Sequence, residues 1–238
     1  MSKNSIAKPD VWDTLAVERN KQLSSTKDLS YHEFIKPEIL RRVPRSNSLI
    51  DVGCGLGHLT AAMSKTTKKL VGIDPSPASI RVAKDNFPGI EFQVSSLEGF
   101  HSTETYDVLV INMVLHAVPN LETFLRKLKL LTHQQSEVVF SMCHPFFWPQ
   151  YKKLLESMNF SYSERSLHEI PFTISDDPLS LGKTPYFHRP VGAYVDAFFR
   201  TGFTLSEFAE PMPSSELERK YSREWCGPRF VFGKLLPR

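Results

Sequence analysis

The sequence predicts an α/β fold, a mostly parallel sheet wrapped by helices, on three observations. From Ser48 onward, short apolar runs alternate with longer segments of helical period, the pattern of strands joined by helical crossovers. The first run leads into a glycine-rich turn, "LIDVGCGLG", in which Gly53, Gly55 and Gly57 stand two apart. The second, "KLVGID", ends in an acid, Asp74.

Each element follows in order. Residues 10–45 read as helical, with Trp12, Leu15, Ala16 and Arg19 three or four apart and a second helix around Pro37 to Val43, which Pro44 closes. "SLIDVG" is then a strand, "LTAAMSK" a helix and "KLVGID" a strand. In "SPASIRVAKDN", Ser76 can cap a helix with Pro77 in its first turn. "IEFQV" and "YDVLVIN" are strands, "LETFLRKLKLL" a helix and "EVVFSM" a further strand. After His144 the periodicity stops. Residues 145–185 carry scattered prolines, Asp176, Asp177 and several aromatics, and read as an inserted cap. "GAYVDAFFRTGF" restores a helix, ended by Gly202 and opened by His188 and Arg189. "FTLSEFA" and "RFVFGKLL" lack a full helix between them and could close the sheet as a hairpin. There is no internal repeat and no low-complexity tract.

Composition narrows the function classes. The 238 residues are 41% hydrophobic and 23% charged, enough to bury a core, and the net charge of +3 is too mild to indicate nucleic acid without a focused patch. Arg41, Arg42 and Arg45, and Lys65, Lys68 and Lys69, read as solvated faces. Cys54, Cys143 and Cys226 form no close pair and fit neither a disulfide framework nor a zinc site. The polar start "MSKNSIAKPD" lacks the apolar core of a signal peptide, and no run approaches a membrane span. A cytoplasmic protein of a reducing compartment is expected.

The glycines and acids point to a ligand. Glycine tolerates positive φ and has no Cβ, so such a loop can turn sharply beneath a bound molecule. The dinucleotide fingerprint would place its last glycine one residue later, where this chain has His58. No lysine follows the glycines as a phosphate loop requires, and Asp51 would repel a pyrophosphate. Asp51 favours a positively charged ligand instead, while Asp74, at the end of the next strand, can hold both hydroxyls of a ribose. A ribose at one end and an ammonium or sulfonium at the other describe S-adenosylmethionine.

"LIDVGCGLGHLTAAM" with "KLVGIDPSPASIRVAKDN" resembles the first motif and its successor in the class I S-adenosylmethionine-dependent methyltransferases, most clearly over residues 48–143. "FSMCHPFF", "YFHRPVGAYVDAFFRTGF", Glu210–Pro211 and "PRFVFGKL" are similar to segments of bacterial small-molecule members. The resemblance implies a Rossmann-like, seven-stranded, mostly parallel sheet with its last strand antiparallel and helices on both faces. An N-terminal helical lid over 1–45 and a cap over about 145–188, inserted after strand five of a domain running from 46 to 238, complete the expected organisation. S-adenosyl-L-methionine is then the methyl donor. Asp51, Gly53, Gly55 and Gly57 would line its methionine end, Asp74 its ribose, and the Asn112 carbonyl its amine. Where relatives place an acid on the adenine amino group, this chain has Ser95, Ser96 and Leu97, so a serine oxygen or a backbone amide would serve.

Methyl transfer from a sulfonium needs proximity and, for some acceptors, a base. Three histidines are candidates: His144, ending the fifth strand on the substrate side; His188; and His116, after the fourth strand. Phe146, Phe147, Trp148 and Tyr151 could wall a flat acceptor or form the cap's own core, and Trp12, Tyr31 and His32 could close as a lid. No metal is expected, since Asp176 and Asp177 alone make a poor site. A small-molecule acceptor is the expected partner, without membrane or nucleic acid. The alternatives are a macromolecular methyltransferase, against which the loop "NMVLHAVPN" lacks the Asp/Asn-Pro-Pro-aromatic pattern, and a scaffold that binds cofactor without turnover.

Overall fold

A computed structural model describes residues 10–25, 27–154, 160–174 and 182–238. Seven strands form one sheet: β1 (Ser46–Val52), β2 (Thr67–Asp74), β3 (Glu91–Val94), β4 (Tyr106–Asn112), β5 (Thr132–Cys143), β8 (Phe203–Ala209) and β9 (Phe230–Pro237). Their order is β3-β2-β1-β4-β5-β9-β8. The first five pair in parallel, and β9 runs antiparallel between β5 and β8. Strands β6 (Ser166–Pro171) and β7 (Lys183–His188) make a separate antiparallel pair.

The central strands are apolar on both faces because helices cover both. Ile50, Val52, Leu109 and Ile111 face one core layer and Leu49, Val108 and Val110 the other, the period of two that a pleated strand imposes. Helices α5 (Leu121–Lys129) and α7 (Val191–Arg200) pack on the first layer through Leu121, Phe124, Leu125, Leu128, Tyr194, Ala197 and Phe198. On the second layer, a π-helical turn (Ser30–Ile35), α2 (Lys36–Arg42) and α3 (His58–Met63) contribute Phe34, Ile39, Leu59 and Met63. Helix α4 (Pro77–Asn86) starts as the sequence indicates: the Ser76 hydroxyl accepts from the Ser79 amide at 3.0 Å with Pro77 next in line. Helix α1 (Asp10–Ser24) packs across α4.

Five local expectations change. Strand β5 begins at Thr132 rather than Glu137, because the polar run "THQQS" pairs at the sheet margin without an apolar pattern to announce it. The cap segment contains the β6–β7 pair, with Pro171 and Pro185 in its strands. His188 closes β7 instead of opening the late helix, which starts at Val191 after Pro190. Arg42 is buried, not solvated: it pairs with Glu38 and, at 2.8 Å, with Glu207, tying α2 to β8. Strands β8 and β9 do pair antiparallel, but residues 210–229, including α8 (Ser215–Glu218), form a long excursion rather than a tight turn.

Candidate active site

Strand order reverses between β1 and β4, and ligands of open α/β sheets bind in the crevice at the carboxyl ends of such strands. The glycine loop leaves β1 at that point. Gly53, Gly55 and Gly57 have φ of +76°, +52° and +77°, a left-handed backbone that side chains oppose. Their tasks differ. A Cβ on Gly53 would collide with the Val114 side chain, and one on Gly57 would lie 2.6 Å from the Phe92 ring. A Cβ on Gly55 would meet nothing within 4 Å. The outer glycines let the loop seat against the exit of β4 and against β3; the middle one leaves room above the loop.

Two carboxylates stand at the strand ends next to the loop. Asp51 is buried, and one of its oxygens accepts from the Thr60 hydroxyl at 2.6 Å. Its other oxygen, Oδ1, has no partner among the described residues. Burial, partly opposed by the Thr60 bond and reinforced by the charge of Asp74, pushes the Asp51 pKa up to about 7. An orphaned, buried carboxylate oxygen is costly and calls for a cationic donor. Asp74 accepts from the Gly55 amide and the Ser76 amide, both at 2.9 Å, one on each oxygen. Each oxygen keeps a second lone-pair site, so a diol can still be held. Burial also raises the Asp74 pKa. Asp74 thus ties the loop to α4, while the capping of α4 falls to Ser76 and to Asp13 of α1, whose carboxylate accepts from the Ser76 hydroxyl at 2.5 Å and the Ala78 amide at 3.0 Å.

The N-terminal aromatics divide. Trp12 packs edge-on against Phe172, away from the glycine loop. Tyr31 is buried with Leu56 of the loop, its pKa is raised by that burial and by the charge of Asp51, and its hydroxyl has no partner among the described residues. Nε2 of Gln22 and of His32 are likewise buried without partners. Arg19 pairs with Asp28 at 2.6 Å, and Asp28 accepts from the Tyr31 amide at 3.0 Å, which fixes the tyrosine. His58, the first residue of α3, bonds Asn20 at 3.1 Å, and burial lowers its pKa to about 4.

At the end of β4 the Asn112 side-chain oxygen accepts from the Ser141 hydroxyl at 2.7 Å, which fixes the side chain and leaves its Nδ2 amide and its main chain for a ligand. Met113 follows with φ of +59°, strained for a non-glycine residue in the way functional turns often are. Ser96 accepts from the Gly99 amide at 3.2 Å, and the Ser95 amide donates to the Asp74 carbonyl at 3.0 Å, so this turn borders the acid. The Leu97 side chain belongs to the core.

The three histidines are not brought together. In His144, Nδ1 accepts from the Phe146 and Phe147 amides at 3.0 and 3.2 Å, which leaves the proton on Nε2 for Glu210 at 2.5 Å. Both ring nitrogens are committed. His188 donates Nε2–H to the Tyr162 carbonyl at 2.9 Å among the rings of Phe160, Tyr162 and Tyr186, and burial lowers its pKa. His116 lies beside Cys143 at the β4–β5 edge, with contacts of 3.5 Å to its amide and 3.7 Å to its thiol. Burial brings the His116 pKa down to about 4, so it is neutral at physiological pH and a weak base.

The cap aromatics pack mostly on one another and on cations. Trp148 stacks on Tyr186 at 4.8 Å, Phe147 lies against His144 at 4.8 Å, and Phe146 against Tyr162 at 5.4 Å. Arg229 sits 3.9 Å over the Tyr151 ring and donates to the Arg223 and Glu224 carbonyls. Lys152, just past helix α6 (Phe147–Tyr151), was not singled out in the sequence. Its ammonium donates to the Thr173 hydroxyl at 2.8 Å and lies over the rings of Trp148 and Tyr151 at 5.5 and 5.6 Å. Neither Lys152 nor Asp13 carries a local sequence signal, since their partners are 21 and more than 60 residues away. Among the described residues no cluster of three or more His, Cys, Asp or Glu could hold a metal, and Asp176 and Asp177 lie outside them.

Comparison with known proteins bears on this site. Residues 45–186 match the family model described as a methyltransferase domain. The trans-aconitate 2-methyltransferase of Shigella dysenteriae serotype 1 is 25% identical over 75% of this chain and 76% of its own length. Human mitochondrial ubiquinone biosynthesis O-methyltransferase is 33% identical over 39% of this chain, and the chain spans only 30% of that relative. The crystal structure of an S-adenosylmethionine-dependent methyltransferase from Mesorhizobium loti superposes with a TM-score of 0.62 at 20% identity, covering 84% of this chain and 96% of that one. The last likeness establishes the fold.

Proposed function

This chain belongs to the methyltransferase-domain family and to its class I, S-adenosylmethionine-dependent branch, and on that premise we propose that it methylates a small-molecule acceptor. The observation that supports the placement of the donor is the unpartnered Oδ1 of buried Asp51, at the end of the strand that leads into the loop whose middle glycine, Gly55, is open. When bound there, S-adenosylmethionine supplies a methyl group on a leaving sulfur that needs no further activation.

The chain's own residues bind and orient. Asp51 takes the positive end of the donor and is thereby ionised, since a cation at Oδ1 offsets the burial that raises its pKa. Asp74 holds the ribose hydroxyls on its remaining lone pairs while its two amide bonds keep the loop in place. The Asn112 carbonyl meets the donor's amine, and the turn at Ser96 and Leu97 borders the adenine. Tyr31, packed on Leu56 of the loop, and Gln22 supply donors, and Nε2 of His32 an acceptor, that otherwise stay unsatisfied. The acceptor lies on the β4–β5 side beneath the cap. Alignment of the two reactants is the main contribution, worth up to roughly 7–11 kcal/mol in favourable systems.

Small-molecule acceptors are supported by the trans-aconitate and ubiquinone-pathway relatives named above. Calorimetric titration tests the donor site: S-adenosylhomocysteine and S-adenosylmethionine should bind and NAD should not. Binding of NAD with no response to the other two would overturn the reading.

A further inference from the structure

Among the described residues Lys152 is a cation without an anion, and no carboxylate pairs with it. Its partner is the neutral Thr173 hydroxyl, and the charges acting on it from nearby include Arg223 and Arg229, which repel it. The Cys143 thiol beside it is fully buried and stays protonated, because burial pushes its pKa far up. Arg229 is already satisfied by carbonyls and aromatic faces, which leaves Lys152 as the donor with hydrogen-bonding capacity to spare.

Its position ties it to the methyl-transfer side. Cys143 ends β5, contacts His116 and shares an apolar cluster with Tyr186, Trp148 and Met113, the residue after Asn112. Val114, one residue further, is what a Cβ on Gly53 would strike. An unbroken line of contacts therefore runs from the glycine loop to the Trp148–Lys152 corner.

The histidines complete the argument. His144 has both nitrogens committed, and burial lowers the pKa both of His116 and of His188, whose Nε2–H goes to a carbonyl and whose Nδ1 has no partner among the described residues. Among the described residues the contacts of the Lys152 ammonium are Thr173, Trp148 and Tyr151, with no histidine among them, and a spare cation without a base beside it suits a nucleophile that is already an anion.

We propose that the methyl acceptor is a small carboxylic acid, bound through its carboxylate by Lys152 and methylated on a carboxylate oxygen to give a methyl ester. This rests on the methyltransferase reading above. A lone pair of the carboxylate oxygen forms the new O–CH3 bond, the S–CH3 bond breaks, and its electron pair stays on sulfur as the neutral thioether. The negative oxygen and the positive sulfonium cancel, so no proton moves and no base is required. One available ammonium and one hydroxyl match a monoanionic carboxylate better than a phosphate dianion, which would draw on more donors. Because the carboxylate loses charge on the way to the ester, Lys152 holds the ground state at least as tightly as the transition state, and so serves binding rather than rate.

The test uses the full chain saturated with S-adenosylhomocysteine, titrated with trans-cinnamate, benzoate, fumarate and citrate, with their amides, and with phenyl phosphate as a separate arm. At least one acid should bind tenfold or more tightly than its amide. That preference should vanish in Lys152→Gln and survive in Lys152→Arg. With the bound acid as substrate, Lys152→Gln should raise KM at least tenfold and leave kcat unchanged or higher, and the product should release methanol in mild alkali as an ester does. No acid preferred over its amide, a preference that persists in Lys152→Gln, or a preference for phenyl phosphate would overturn the proposal. If S-adenosylhomocysteine itself does not bind, the methyltransferase reading fails instead, so the two failures are distinct.

Discussion

The proposed donor half and the proposed acceptor half of this crevice are built in opposite ways. On the donor side, Asp51, Gly53, Gly55, Gly57, Thr60 and Asp74 all fall within 24 consecutive residues of one strand–loop–helix–strand unit. On the acceptor side, His116, Cys143, Lys152, Thr173 and Tyr186 come from five separate segments between β4 and the end of the cap. A site written in one stretch keeps its residue types and spacing legible. A site assembled from distant segments is specified by packing, and its residues look ordinary in the chain.

The sharpest way to break this contrast is inside the glycine loop. Gly53→Val should cost ~1–2 kcal/mol for forcing a side chain into the left-handed region and a further ~1–3 kcal/mol for overpacking against Val114. Thermal unfolding should register both, and cofactor binding should be lost. Gly55→Val should cost only the first of these, since its Cβ meets no protein atom, while S-adenosylhomocysteine affinity falls by two orders of magnitude or more. If the two variants prove equally unstable, the division between packing glycines and a ligand-facing glycine is wrong.

The next effect is smaller and lies on the acceptor side. His144→Ala removes the acceptor for the Phe146 and Phe147 amides and the donor to Glu210, so it should destabilise the protein by about 1–3 kcal/mol. The shape of the pH–rate profile should stay that of the wild type, because His144 holds the start of α6 and gives no proton to the reaction. Loss of a rate-controlling ionisation near neutral pH with unchanged stability would instead make it the base.

How much could be read in advance follows the same division. The strand–helix alternation, the Ser76 cap and the glycine spacing are local, and the structure repeats them nearly residue for residue. Asp74 shows the limit: its position at the end of β2 was legible, but its bonds to the Gly55 and Ser76 amides depend on the loop folding back over it. The β6–β7 pair was missed because Pro171 and Pro185 read as loop residues, although an isolated two-stranded pair has free edges that tolerate proline. Arg42 looked like part of a basic surface run, and only the arrival of Glu207 from β8 makes it a buried tie. Histidine positions were visible, but their roles were not. A ring's hydrogen-bond partners decide whether it can take a proton, and those of His144 and His188 come from the main chain of the cap and from Glu210.

The most direct test of the account is the pH dependence of S-adenosylhomocysteine binding in the wild type and in Asp51→Asn. In the free protein the Asp51 pKa stands near 7, above the ordinary carboxylate value, so below pH 7 the folded, unliganded protein holds a proton there that a cationic ligand must displace. Affinity should therefore rise with pH, approaching about tenfold per unit well below pH 7, equivalent to about 1.4 kcal/mol per unit, and level off above it. The stability of the unliganded protein should move the other way, falling as pH rises from about 4 toward 7, because there the folded state binds more protons than the unfolded. Asp51→Asn should bind more weakly above pH 7 and lose the slope below it. A wild-type affinity that is flat from pH 5 to 7, or a slope that survives in Asp51→Asn, would contradict the claim that this buried carboxylate receives the positive end of the methyl donor.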